Sequence, residues 1–193
     1  RRRRGDPRRP RRDRRRTAVT DAAFRRGVRL AIDVGTVRIG VARCDRDGIL
    51  ASPVETVARG DGDLARLLAI VAEHEPIAVL VGLPVAMSGR ETASTADARS
   101  VAQALADALA GDPGIPVRHV DERLTTVSAL GQLHASGRDS RGSRRVIDQV
   151  AAVIMLEHAL DTERRTGRPA GTPVEQSATD VNTTDEQDEG TDR

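Results

Sequence analysis

"LAIDVGTVRIGVA" (residues 30–42) places one carboxylate, Asp33, inside an apolar run and follows it with Gly35-Thr36. Around it, "VRLAIDVG" (28–35) alternates Val28, Leu30, Ile32 and Val34 against Arg29, Ala31 and Asp33, the two-residue period of a strand. "VRIGVARCD" (37–45) alternates again, with Gly40 and Ala42 keeping one face small, and "ILASPVETVAR" (49–59) is a third extended run. Short turns at Gly35-Thr36 and Asp47-Gly48 join the three as an antiparallel meander. An unpaired charge is costly to bury. Asp33 is therefore either a solvated strand-end residue or an acid that works on something cationic.

Further along the chain the period changes. Leu64, Leu67, Leu68 and Val71 share a helix face; "IAVLVG" (77–82) is an unbroken apolar run of the kind found in buried parallel strands. Ala98, Val101, Ala102, Leu105 and Leu109 mark a second helix, and "IPVRHVD" (115–121) a fifth strand. A helix is expected over 124–135, then a polar glycine loop over 136–143. A last helix carries Ile147, Val150, Ala151, Ile154 and His158, with Ser143 as its N-cap. The order β-β-β-α-β-α-β-α-α predicts an α/β fold, a mixed five-stranded sheet flanked by helices.

Charge divides the chain into three parts. Residues 1–16 hold 11 Arg against Asp6 and Asp13, a net of +9; residues 168–193 hold two Arg against seven acids, a net of −5; residues 17–167 carry −2. Neither end has apolar residues to bury. The expected organisation is a disordered Arg-rich arm over 1–20, one domain over 26–166 and a disordered acidic tail over 167–193. A single cysteine, Cys44, suits a reducing compartment. No apolar run approaches membrane-spanning length and the arm is no secretory signal, so no membrane partner and a cytoplasmic location are expected.

The acids fall at informative places. Asp33 lies at the far end of the first strand, Asp121-Glu122 closes the fifth, and Asp148 lies in the first turns of the last helix. Ligands of α/β sheets bind outside the carboxyl ends of strands. Three carboxylates gathered there repel one another unless they surround hard divalent cations such as Mg²⁺, which serve phosphodiester hydrolysis in pairs. Taken singly, each acid is equally a turn or cap residue.

Together, "AIDVGTVRIGVA", "VGLPVAMSG", "VDERLTT" and "IDQVAAVIMLE" resemble, in this order, the YqgF/RuvX family over about 28–160. The resemblance implies an RNase H-like fold and a divalent-metal nuclease, with Mg²⁺ or Mn²⁺ held by Asp33, Glu122 and Asp148 as the catalytic acids. It implies maturation of the 5′ end of pre-16S rRNA, with Holliday junction resolution as the alternative. The partner is then nucleic acid, structured RNA or branched DNA. A resolvase acting on a symmetric junction requires a homodimer, whereas a maturation nuclease can act alone.

Around these acids, Thr36 offers a hydroxyl and an N–H to a phosphate. Arg123, Arg138, Arg141, Arg144 and Arg145 are candidate contacts to the substrate backbone. Four scattered histidines have no zinc spacing with Cys44. With one Phe and no Trp or Tyr there is no base-stacking platform, so the grip is through phosphates and shape. Asp-x-Gly-Thr also opens the first phosphate loop of actin-like ATPases, but no second such loop follows. A non-catalytic nucleic-acid-binding transcription factor is the other reading; it would keep its function without Asp33.

Overall fold

Alternating Val, Ile and Leu build the sheet, and which face each residue takes positions everything else. The computed structural model describes residues 24–84, 91–111, 114–121 and 141–177, with 141–149 described by backbone alone. Its elements are β1 (Arg29–Val34), β2 (Arg38–Cys44), β3 (Ala51–Ala58), α1 (Asp63–His74), β4 (Ala78–Leu83), α2 (Ala93–Ala108), β5 (Val117–Asp121), α3 (Arg141–Thr166) and β6 (Thr172–Pro173). The sheet order is β3-β2-β1-β4-β5-β6. The first three strands form the expected antiparallel meander, and β4 and β5 run parallel to β1. The expected mixed sheet flanked by helices is present, with a sixth, two-residue strand antiparallel to β5 at its edge.

The two faces differ in side-chain size. Leu30, Ile32, Val34, Val79, Val81 and Val117 meet α1 and α2. On the other face Ala31, Ala42, Leu80 and Val120 meet Ala152, Met155, Leu156, Ala159 and Leu160 of α3. Small residues on that side let the long helix lie close across β1, β2 and β3. β3 is the outer strand, and Pro53 sits where the β2–β3 register shifts between Val41 and Ala42. At an edge, proline's missing N–H costs no ladder bond.

Two boundaries differ from the expectation. α3 is already helical at Arg141, so Ser143 lies inside the helix and is not its N-cap. Gly142 costs a helix only about 1 kcal/mol relative to Ala, which 26 residues in one helix absorb. Residues 167–177, assigned to the tail by composition, return to the domain. Val174 N–H donates to Val117 O at 2.9 Å, Ala170 is buried, and Ser177 N–H donates to Asp107 Oδ1 at 2.7 Å. Few apolar residues are needed there because an existing strand edge supplies the hydrogen bonds. The helix expected over 124–135 lies outside the described residues.

Beneath the carboxyl-terminal half of α3 is a buried ion pair. Arg29, on the face sequence alternation shares with Ala31, is fully buried, and its Nη2 donates to Glu163 Oε2 at 2.7 Å. Arg29 Nη1 donates to Gly27 O at 2.8 Å, and Glu163 Oε1 accepts Ala170 N–H at 3.1 Å. The Arg29 amide donates to the buried Cys44 sulfur at 3.1 Å. Burial pushes the Cys44 thiol up from its ordinary value. Removing one partner of such a pair leaves an uncompensated buried charge. Glu163→Leu is expected to cost about 3–5 kcal/mol in urea unfolding, and adding Arg29→Met to recover most of it. A single-variant loss below about 1 kcal/mol would show that the guanidinium finds another counter-charge.

Candidate functional site

Asp33 is the fifth of six residues in β1, at the carboxyl edge of the parallel strands. Alternation puts it on the face of Ala31, the one α3 covers. Its register partner on β2 is Gly40, and Gly40 pairs in turn with Thr56 on β3. On the other side Ile32 is in register with Val81, so Gly82, the next position of β4, stands beside Asp33. The half-buried acid is thus flanked on both neighbouring strands by buried residues without side chains. Glycine inside a strand marks a place where a ligand or another backbone comes close.

The turn after Asp33 needs its own glycine for the same reason. Gly35 N–H donates to Arg38 O at 2.9 Å, and a Cβ on Gly35 would stand 2.8 Å from that oxygen. Thr36 is exposed at the tip of this turn.

The carboxyl-terminal half of α3 lies at the other end of β1, where Glu163 pairs with Arg29. From Glu163 back to position 148 is about 22 Å of helix, and from Arg29 to Asp33 about 13 Å of strand. Position 148 is four residues before Ala152 on the stripe that continues through Met155, Ala159 and Glu163, all buried.

Comparison with known proteins follows the same residues. A family model, RuvX, described as "Holliday junction resolvase", matches residues 27–162. The chain belongs to the RuvX family. Among its relatives, a "Putative pre-16S rRNA nuclease" of Clavibacter michiganensis subsp. michiganensis is 56% identical over 160 residues, 81% of this chain and 97% of the relative. One of the same name from Streptomyces coelicolor is 56% identical over 79% of this chain and 90% of its own. A solved structure of T. thermophilus RuvC in complex with Holliday junction substrate aligns at TM-score 0.48 and 18% identity, over 76% of this chain and 99% of its own. The RuvX match covers neither the arm nor the acidic tail.

Across the RuvX match and its surroundings, the expected site residues fall into three groups. Asp33 and Thr36 are described with their surroundings. Asp148, Arg141, Arg144 and Arg145 lie on the first turns of α3, where only the backbone is described. Glu122, Arg123 and Arg138 lie outside the described residues. Among the described residues no group of three His, Cys, Asp or Glu could hold a metal ion; Asp33 contributes the one described oxygen donor of the expected set. A carboxylate at the carboxyl end of a central strand, flanked by glycine on both neighbouring strands, suits a hard divalent cation. Asp121 is in register with Leu83, which belongs to the α1 and α2 core, so its position is on the face opposite Asp33. From sequence, the stretch 82–89 reads equally as a cleft lining or as a plain strand-to-helix connection; Gly82, its first residue, lies inside β4.

On Asp121's side of β5, His119 has a buried Nδ1 with no hydrogen-bond partner. Burial first, and the Arg99 charge second, hold its pKa below the ordinary 6.5. Folded His119 therefore stays neutral where the unfolded chain takes up a proton. Stability is retained above pH about 6.5 and falls as the pH drops below it. His119→Leu should flatten this loss when urea unfolding is compared at about pH 7.5 and about pH 5.5. An unchanged acid-side loss in the variant would place its origin elsewhere.

Proposed function

We propose that this RuvX-family chain is a divalent-metal nuclease that hydrolyses phosphodiesters, acting at the 5′ end of pre-16S rRNA in ribosome biogenesis. The observation that carries the reading is Asp33 itself: an acid on a central strand, at the carboxyl edge, between Gly40 and Gly82, under the approach of α3. The names of the relatives supply the substrate.

Asp33, Glu122 and Asp148 would hold Mg²⁺ or Mn²⁺. Asp121 falls on the face opposite Asp33, and Glu122 is the acid that the family resemblance assigns. Bound ions of this kind supply an activated water and steady the departing oxygen. The chain's own residues do the rest. β1 holds the Asp33 oxygen rigidly, the glycines beside it leave room for a phosphate, and Thr36 offers its hydroxyl at the rim. Arg123, Arg138, Arg141, Arg144 and Arg145 meet neighbouring phosphates, which orient a substrate without reading its bases. The description of the matching family model favours a second substrate, the Holliday junction, on which the protein would act as a symmetric dimer.

Asp33→Asn keeps the shape and removes the charge. It should lower Mg²⁺-dependent cleavage by at least about a hundredfold, since even outer-shell changes cost up to that much, while circular dichroism and substrate binding stay unchanged. Chelation should stop the wild-type protein, Mn²⁺ should restore it, and Ca²⁺ should support binding with poor turnover. Pre-rRNA and four-way junctions assayed side by side decide the substrate. A folded Asp33→Asn protein cutting at the wild-type rate would sink the assignment.

A further inference from the structure

Asp33 shares its face of the sheet with two polar residues that the expected site does not include. On β3, Glu55 pairs with Arg66 of α1, and Val57 is buried in the core under α1 and α2. Thr56, between them, therefore takes the opposite face, that of Ala31 and Asp33. On β2, Ile39 and Val41 belong to the same α1 and α2 core, so Arg38 and Gly40 also take the Asp33 face.

The register fixes how these residues stand. Gly40 is the partner of Asp33 on one side and of Thr56 on the other. Neighbouring strands lie about 4.8 Å apart, so the Cα positions of Asp33 and Thr56 are about 10 Å apart. Gly40 puts no side chain between them. Arg38 stands two residues nearer the rim on β2, and its partner on β3 is the small, exposed Ala58. The result is a shallow seat with a glycine floor, an acid on one side, a hydroxyl on the other and a guanidinium at the rim. A threonine on a half-buried strand is ordinary, because β-branched residues favour such positions. A glycine inside the strand beside it is not, because it weakens the strand and marks a close approach.

Backbone contacts hold this rim. The Arg38 carbonyl accepts the Gly35 N–H at 2.9 Å, and the Val37 carbonyl accepts the Arg59 N–H at 3.0 Å. These bonds tie the β1–β2 turn to the end of β3. Arg38 and Thr56 are both half-buried, so each meets solvent from a fixed backbone. Neither residue is free of partners. A guanidinium with five donors, and a hydroxyl that both donates and accepts, take a second partner while keeping the first. The planar fork of arginine matches phosphate oxygens, and the threonine hydroxyl adds a neutral donor. Contacts of this kind position a backbone and read no base.

We infer that Arg38 and Thr56 form a seat for one backbone phosphate of a nucleic acid, over Gly40 and beside Asp33. The seat sets where the backbone crosses β2 and β3, and with it which phosphodiester reaches Asp33. That last consequence rests on the nuclease reading; the phosphate contact itself does not.

The test is binding in chelator, which reads whether or not the protein cleaves. Fluorescence anisotropy follows a pre-16S rRNA 5′-end fragment and a four-way DNA junction over a range of salt. Arg38→Gln should weaken binding of both about tenfold and lower the salt slope by about 0.7 to 0.9, the share of one phosphate. Arg43→Gln makes the same charge change on the same strand, but Arg43 is exposed on the opposite face, in register with Leu30. It should leave affinity and slope at wild-type values. Thr56→Val keeps the branched shape and removes the hydroxyl; it should weaken binding about threefold with the slope unchanged, and Thr56→Ser should restore it. Arg38→Lys should keep the slope and lose part of the affinity, because a point charge lacks the fork; it serves also if Arg38→Gln fails to fold. The inference is overturned if Arg38→Gln and Arg43→Gln lower the slope alike, if Thr56→Val binds as wild type, or if the losses are confined to RNA or to DNA. A wild-type protein that shows these binding signatures and never cuts would overturn the nuclease reading and leave the seat standing. One that cuts with Mg²⁺ while Arg38→Gln and Thr56→Val bind as wild type would do the reverse.

Discussion

A guanidinium buried at the start of a central strand constrains the rest of this molecule. Arg29 has no water around it, and Glu163 is the counter-charge it meets. That requirement lays the carboxyl-terminal half of α3 over the start of β1. The same carboxylate takes the Ala170 amide, which turns the chain after α3 back onto β5. One carboxylate thereby ties the end of a helix, the start of a central strand and the segment that follows the helix. Phe24 lies on the same guanidinium.

The two faces of the sheet divide the work. Large side chains of β1 and β4 against α1 and α2 bury most of the branched apolar residues, and the area removed from water there drives folding. The α3 face is made of small residues, Ala31, Ala42 and Cys44, with Gly40 and Gly82 beside Asp33. Such a surface lets α3 approach closely. The site is therefore made by what the neighbouring positions lack as much as by Asp33 itself. The close turn at Gly35, where a Cβ would meet the Arg38 carbonyl, keeps the strand end in place.

Much of this was legible along the chain, and the reason is local. A strand's alternation and a helix's stripe are written by residues two to four apart, so the meander of β1, β2 and β3, the buried run of β4 and the face of α2 could all be read directly. So could the division of charge between arm, domain and tail, and the oddity of Asp33 in an apolar run. Other features involve residues far apart in sequence. Arg29 reads as the polar side of a strand until Glu163, 134 residues away, is seen to bury it. Gly82 becomes part of the site only through the β1–β4 register, and Asp121 is set apart from Asp33 only by its pairing with Leu83. β6 has no pattern of its own, since two residues cannot show a period; the free edge of β5 makes it a strand. The sequence by itself determined which elements form and which residue types their ends carry, because those depend on neighbours within a turn or a pleat. Only the tertiary structure decided which face each acid takes and which distant charge it meets, because strand register and helix direction are set by contacts between parts of the chain that no local period connects.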